Sequence, residues 1–249
     1  MEPLIPEAVV AGLNRRFEAE RPQEIIRWAL EDSGLERVAV ASAFQAEGVA
    51  IIHMTVQVRP DIPVLFLETG FHFRETLEFR DDLARRLRLN VVDLRGEHTP
   101  ESQAEAFGPR LYERDPARCC ELNKVAPINR ALRELDAWFT GLRREQSPTR
   151  ADAPILDQYE LEPGKTLVKV NPLATWSRRE VWGYLRAHDL PHHPLYDLGF
   201  ASIGCAPCTR AVAPGEDERA GRWVGVDKVE CGIHQAEPVG APGRSAPGG

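Results

Sequence analysis

Four of the five cysteines in this 249-residue chain fall in two close pairs: Cys119 and Cys120 in "ARCCELNK", Cys205 and Cys208 in "IGCAPCTR". The fifth, Cys231 in "ECGIH", stands apart. A C-x-x-C run lets a tight turn aim two sulfurs at one centre, and Gly204 and Pro207 suit such a turn. A second pair completes four-sulfur coordination, which suits zinc or an iron–sulfur cluster. Neighbours on a helix diverge by about 100°, so Cys119 and Cys120 are poorly set to share one small ion. A polynuclear cluster offers separate iron atoms as attachment points, which favours iron–sulfur over structural zinc. Two buried cysteine pairs acting as small hydrophobes are the plain alternative.

With four sulfurs committed, Cys231 is spare. Together with His234 it forms a C-x-x-H spacing that can serve as a zinc half-site. A thiol near arginines and a histidine is instead expected to be acidic and nucleophilic, with an exposed, incidental cysteine as the plain alternative. Arg219 and Arg222 lie three apart in "EDERAGRW", and Arg143, Arg144 and Arg150 fall in "GLRREQSPTR". Forked guanidinium groups of this kind clamp anions. A solvated Arg–Glu surface is the plain alternative.

Composition sets the frame for this chemistry. The apolar fraction of 43% and charged fraction of 28% are those of a water-soluble globular protein. A net charge of −7 argues against general nucleic-acid binding. No run is long and apolar enough for a membrane span, and the start "MEPLIPEAVVAG" lacks a signal-peptide pattern. A cytoplasmic, reducing location is the expectation, where close cysteines bind metal or do redox chemistry.

The elements that must position these residues alternate in type. Helices are expected at "PEAVVAGLNRRFEAE" and "PQEIIRWALEDSG", then a strand at "RVAVASAF" and a helix at "AEGVAIIHMTVQV". A strand at "IPVLFLETG", a helix at "FRETLEFRDDLARRLRL" and a strand at "NVVDL" follow. Successive strand–helix–strand units imply an α/β fold: an open, mostly parallel twisted sheet with helices on both faces. "RGEHTPESQAEAFGP" reads as a loop or short helix, and "DPARCCELNKVAPINRALREL" as a helix capped by Asp115. "AWFTGL" and "TLVKVNPL" give a fourth and a fifth strand, with "RREQSPTRADAP" a polar loop between them. "SRREVWGYLRAHDL" is a helix capped by Ser177. Residues 1–204 are expected to form the α/β domain with its N-terminal helices, 205–234 a C-terminal segment carrying C-x-x-C and Cys231, and 235–249 a disordered tail.

In family order, "SAFQAEGV", "LETG", "CCELNKVAPINRAL", "TGLRREQSPTR", "IGCAPCTR", "ERAGRW" and "ECGIH" resemble the assimilatory adenylyl-sulfate (APS) and phosphoadenylyl-sulfate (PAPS) reductases, from about Val38 to His234. The resemblance implies an adenine-nucleotide α-hydrolase-like fold, with Ser42, Gln45 and Glu47 at a phosphate-binding loop and Thr69 and Gly70 beside the adenosine. Related sequences commonly have Asp where Glu68 stands, Ser before Phe44 where Ala43 stands, and, in cluster-bearing members, Arg where Asn123 stands. The four paired cysteines mark the branch that holds a [4Fe-4S] cluster and uses APS.

The same resemblance implies an oxidoreductase of sulfate assimilation that reduces APS to sulfite and AMP. Cys231 is the nucleophile and carries an S-sulfonate, and a thioredoxin or glutaredoxin-like dithiol releases the sulfite. Lys124, Arg143, Arg144, Arg219 and Arg222 are expected to neutralise the leaving phosphate, and His234 to orient substrate or thiolate. The alternatives are a PAPS reductase, a cluster-bearing tRNA thiolase, or a non-catalytic zinc- or nucleotide-binding module of the same fold.

Overall fold

The computed structural model describes residues 4–226, 228 and 230–233; His234 and the tail 235–249 lie outside the described residues. Six strands form one sheet: β1 (Val38–Ala41), β2 (Pro63–Leu67), β3 (Asn90–Leu94), β4 (Ala137–Phe139), β5 (Leu156–Glu162) and β6 (Lys165–Val170). Their order is β3-β2-β1-β4-β6-β5. All neighbours pair in parallel except β5, which runs antiparallel to β6 at one edge.

Alternation along each strand divides the interior into two cores, since successive side chains point to opposite faces. Val38 and Val40 of β1, Val64 and Phe66 of β2, and Ala137 and Phe139 of β4 join the larger core. Ala39, Leu65 and Trp138, one residue out of phase, join the smaller one. The larger core is closed by α1 (Glu7–Phe17), α2 (Pro22–Arg27), α3 (Ala46–Val56) and α4 (Arg74–Leu87). Short helices α5 (Pro100–Phe107), α6 (Leu111–Arg114) and α7 (Pro116–Cys120) lead to α8 (Ala126–Leu132), which covers the smaller core through Ile128 and Leu132. The last helix, α9 (Arg178–Ala187), returns to the larger core through Val181 and Leu185. The sheet is therefore mixed and mostly parallel, with helices on both faces.

Local signals set several boundaries. Asp115 accepts from the Arg118 N–H at 2.9 Å and caps α7. Ser177 and Glu180 form a reciprocal capping box at the start of α9. Between α7 and α8 the helix widens into a five-residue π turn, Glu121–Val125. Pro127 follows at once and has no N–H to offer the carbonyl four residues earlier, which loosens the helical ladder there. The expected fifth strand is the sixth in chain order, because β5 precedes it.

Candidate active site

The main pocket opens at the carboxyl ends of β1, β2 and β4, where Ala41, Leu67 and Gly141 line it. Strand order reverses between β1 and β4, and open α/β sheets bind ligands at such a switch. The loop from Ser42 to Gly48 forms one wall. Phe44 anchors it: the residue has φ +55°, its side chain is fully buried, and its ring meets Phe66 edge-on at 5.7 Å. Ser42 Oγ accepts the Phe44 N–H at 3.0 Å, and Gln45 Oε1 accepts the Ile203 N–H at 2.8 Å. Ser42, Gln45 and Glu47 all line the pocket, and the N-terminus of α3 opens onto it. Backbone N–H groups and the helix dipole favour an anion there.

Lys124, Arg150, Arg219 and Arg222 line the same pocket as Cys231. Burial opposes the Lys124 charge, but the nearby Cys205, Cys231 and Cys120 sulfurs outweigh it and hold its pKa above the ordinary lysine value. Arg222 donates from Nη1 to Ser202 Oγ at 3.2 Å and lies 4.5 Å over the Trp223 ring, whereas its buried Nε has no hydrogen-bond partner among the described residues. A Cβ at Gly204 would come within 2.2 Å of Arg222 Nη2, so glycine leaves room for this guanidinium.

Cys231 is half-buried, and its neighbours fix it from both sides. Arg150 donates to Glu230 from Nε (2.8 Å to Oε1) and Nη2 (2.7 Å to Oε2), and Arg219 Nη2 adds a 3.2 Å contact. Burial works against the Glu230 charge, but the Arg150 hydrogen bonds hold its pKa below the usual carboxylate value. Gly232 follows with φ +93°, and a Cβ there would press to 3.1 Å on Val125 Cγ2.

Other expected residues lie elsewhere. Arg143 is fully buried and does not line the pocket; its guanidinium meets Glu47 (2.9 Å), Glu145 (2.9 Å) and Glu218 (3.1 Å). Arg144 turns away to Glu18 on the end of α1, so the clamp expected of this pair is not assembled. Arg150, six residues further on, lines the pocket instead. Thr69 and Gly70 are also outside the lining. Thr69 Oγ1 lies 3.4 Å from Cys205 Sγ, and Gly70 packs beside Pro100.

Cys119, Cys120, Cys205 and Cys208 line a second, smaller cavity, and Lys124 belongs to both cavities. All four are free thiols. Burial raises the pKa of Cys119, Cys120 and Cys208, the last to about 11. Burial also disfavours the Cys205 thiolate, but Lys124 and the Thr69 hydroxyl reverse that and lower its pKa. Two amides point at Cys119 Sγ: Asn123 Nδ2 at 3.6 Å and Gln103 Nε2 at 3.8 Å, themselves joined by a 2.6 Å hydrogen bond. Among the described residues no group of three or more His, Cys, Asp or Glu is set to hold a metal ion.

A family model for the phosphoadenosine phosphosulfate reductase domain matches residues 37–211. The chain is 43% identical over 224 residues to an adenosine 5'-phosphosulfate reductase of Halalkalibacterium halodurans, covering 90% of this chain and 95% of that protein. It is also 43% identical over 233 residues to a phosphoadenosine 5'-phosphosulfate reductase of Gloeobacter violaceus, covering 92% and 95%. A crystal structure of phosphoadenylyl-sulfate reductase from Candida auris, in a phosphate complex, superposes with a TM-score of 0.70 at 26% identity, covering 84% of this chain and 98% of that one.

Proposed function

Because the chain belongs to the phosphoadenosine phosphosulfate reductase family, an oxidoreductase family acting on sulfur groups, we propose that it reduces adenylyl sulfate (APS) to sulfite and AMP through Cys231. The partition of thiols carries this reading. Four cysteines line one cavity, the fifth lines the adjoining pocket, and Lys124 belongs to both.

The Cys231 thiolate attacks the sulfate sulfur of APS, the S–O bond to the phosphate breaks, and AMP leaves with the electron pair. Sulfur(VI) is retained as an S-sulfonate on Cys231. One thiol of a reduced thioredoxin or glutaredoxin-like dithiol then attacks the Cys231 sulfur, and sulfite departs with the bonding pair. The second donor thiol displaces Cys231 from the mixed disulfide, so the donor is oxidised and the thiolate restored. Lys124, Arg219 and Arg222 supply fixed positive charge where the phosphate leaves, which is how a preorganised site lowers a charged barrier. Arg150 adds to that field and orients the residue before Cys231.

Cys119, Cys120, Cys205 and Cys208 suit a [4Fe-4S] group better than a single ion, because they line one cavity and a polynuclear cluster offers each sulfur a separate iron. Bound there, the cluster would supply structure and electrostatic field next to Lys124. The four-cysteine set supports APS over PAPS as substrate. A cytoplasmic setting, with those thiols reduced, completes the reading, and no described helix is long and apolar enough to cross a membrane.

Anaerobic purification followed by iron and sulfide analysis tests the cofactor, with about four of each expected per chain. Single-turnover reactions with sulfur-labelled APS and PAPS test the chemistry. The label is expected on Cys231, more efficiently from APS, and absent from Cys231→Ser. Wild-type sulfite output by Cys231→Ser, or iron-free native protein, overturns the reading.

A further inference from the structure

We infer that Glu230 is a positioning residue: a carboxylate peg, seated between Arg150 and Arg219, that holds Cys231 over the pocket. The inference rests on the reductase reading for its consequence but on geometry for its existence. The Glu230 side chain is only 7% exposed, although neither it nor the described residues beside it belong to a helix or strand. Its Oε1 accepts from Arg150 Nε (2.8 Å) and Thr149 Oγ1 (3.2 Å), with Ser147 Oγ at 3.5 Å. Its Oε2 accepts from Arg150 Nη2 (2.7 Å) and Arg219 Nη2 (3.2 Å).

Two-point pairing of a planar guanidinium with a carboxylate fixes orientation as well as distance. The peg therefore joins the turn Pro148–Arg150 and the Arg219 segment to the residue directly before the nucleophile. An attacking thiol held in this way has a high effective concentration at the pocket, which a loose tail lacks. The same pairing spends two pocket arginines on a protein carboxylate. Substrate binding thus depends more on Lys124 and Arg222, whose charges have no carboxylate partner among the described contacts.

A positioning role predicts a split that a general loss of structure does not. In Glu230→Ala the rate of Cys231 alkylation by iodoacetamide, followed by peptide mass mapping, is expected to rise at least about tenfold, as local opening becomes cheap. Formation of the Cys231 S-sulfonate in a single turnover is expected to fall by a similar factor, so kcat drops while KM for APS does not rise. Sulfite release from preformed adduct by the dithiol is expected to keep its rate. Arg150→Ala should accelerate alkylation as Glu230→Ala does, and the double variant should add nothing further, because both remove one contact. Glu230→Gln, which keeps the shape and loses the charge, should fall between and serves if the alanine variants fail to fold. Wild-type alkylation rates in Glu230→Gln and Arg150→Lys, or independent multiplying effects in the double variant, overturn the peg. If the wild-type chain forms no adduct, the reductase chemistry fails and the alkylation rates still decide the peg.

Discussion

Lys124 and Arg143 carry the same formal charge, yet their neighbours give them different work. Lys124 looks into both cavities, whereas Arg143 is closed inside three carboxylates. Arg143→Ala would leave Glu47, largely buried, without its cation and Glu218 with Arg178 alone. Losing one partner of a buried ion pair costs about 3–5 kcal/mol, and the partial exposure of these carboxylates lowers that to roughly 2–4 kcal/mol. Urea unfolding is expected to show this loss, and a change under about 0.5 kcal/mol would refute the structural role. Sequence alone could not assign it. Arginine announces its charge but not its partner, and Glu47 and Glu218 lie 96 and 75 positions away. The cysteine pairs were legible as one group because of their type and spacing, and the structure gathers all four at one cavity.

At the scale of elements, the parallel strands announced themselves as short apolar runs, but β5 did not. Its sequence, LDQYELE, buries only Leu156 and Tyr159, and its three carboxylates disfavour a strand on propensity. Pairing with β6 overrides that preference: Asp157 faces Lys169 across the hairpin, with Oδ2 and Nζ 3.8 Å apart. The usable signal was the turn, Pro163–Gly164, with Gly164 at φ +82°. Gly164→Ala should therefore destabilise the protein by about 1 kcal/mol, because a side chain is strained at that φ. Gly183, inside α9, meets nothing within 4 Å if a Cβ is added. Gly183→Ala should stabilise by about 0.5–1 kcal/mol through helix propensity. Opposite shifts in thermal midpoint check the pair, and shifts of the same sign would contradict it. The π turn after Cys120 was equally hidden, although Pro127 marked the place where the helix had to loosen.

At the scale of the molecule, the pocket draws on residues from Ala41 to Ile233, and a chain of net charge −7 concentrates Lys124, Arg150, Arg219 and Arg222 at one opening. The segment between α9 and the C-x-x-C turn carries Ile203 and Gly204 to that opening and is tied to the body of the protein by Ile203 on Gln45, by Tyr196 on Ala46 and by His193. This side chain is completely buried against α4: Thr76 Oγ1 lies 2.9 Å from its Nε2, and its Nδ1 accepts the Leu195 N–H at 3.2 Å. With Nδ1 committed as an acceptor, the ring has no place for a second proton. Burial lowers its pKa from 6.5 to about 4, against a smaller opposing pull from Glu75 and a small push in the same direction from His192. Between those values the unfolded chain binds a proton that the folded chain refuses. Stability from this residue is thus complete above about pH 6.5 and drains away as pH falls toward 4, by roughly 3 kcal/mol in all. Urea unfolding at pH 7, 5.5 and 4.5 should show that decline, and His193→Gln should flatten it. An equal slope in both proteins would mean that the acid sensitivity of the fold lies in groups other than His193.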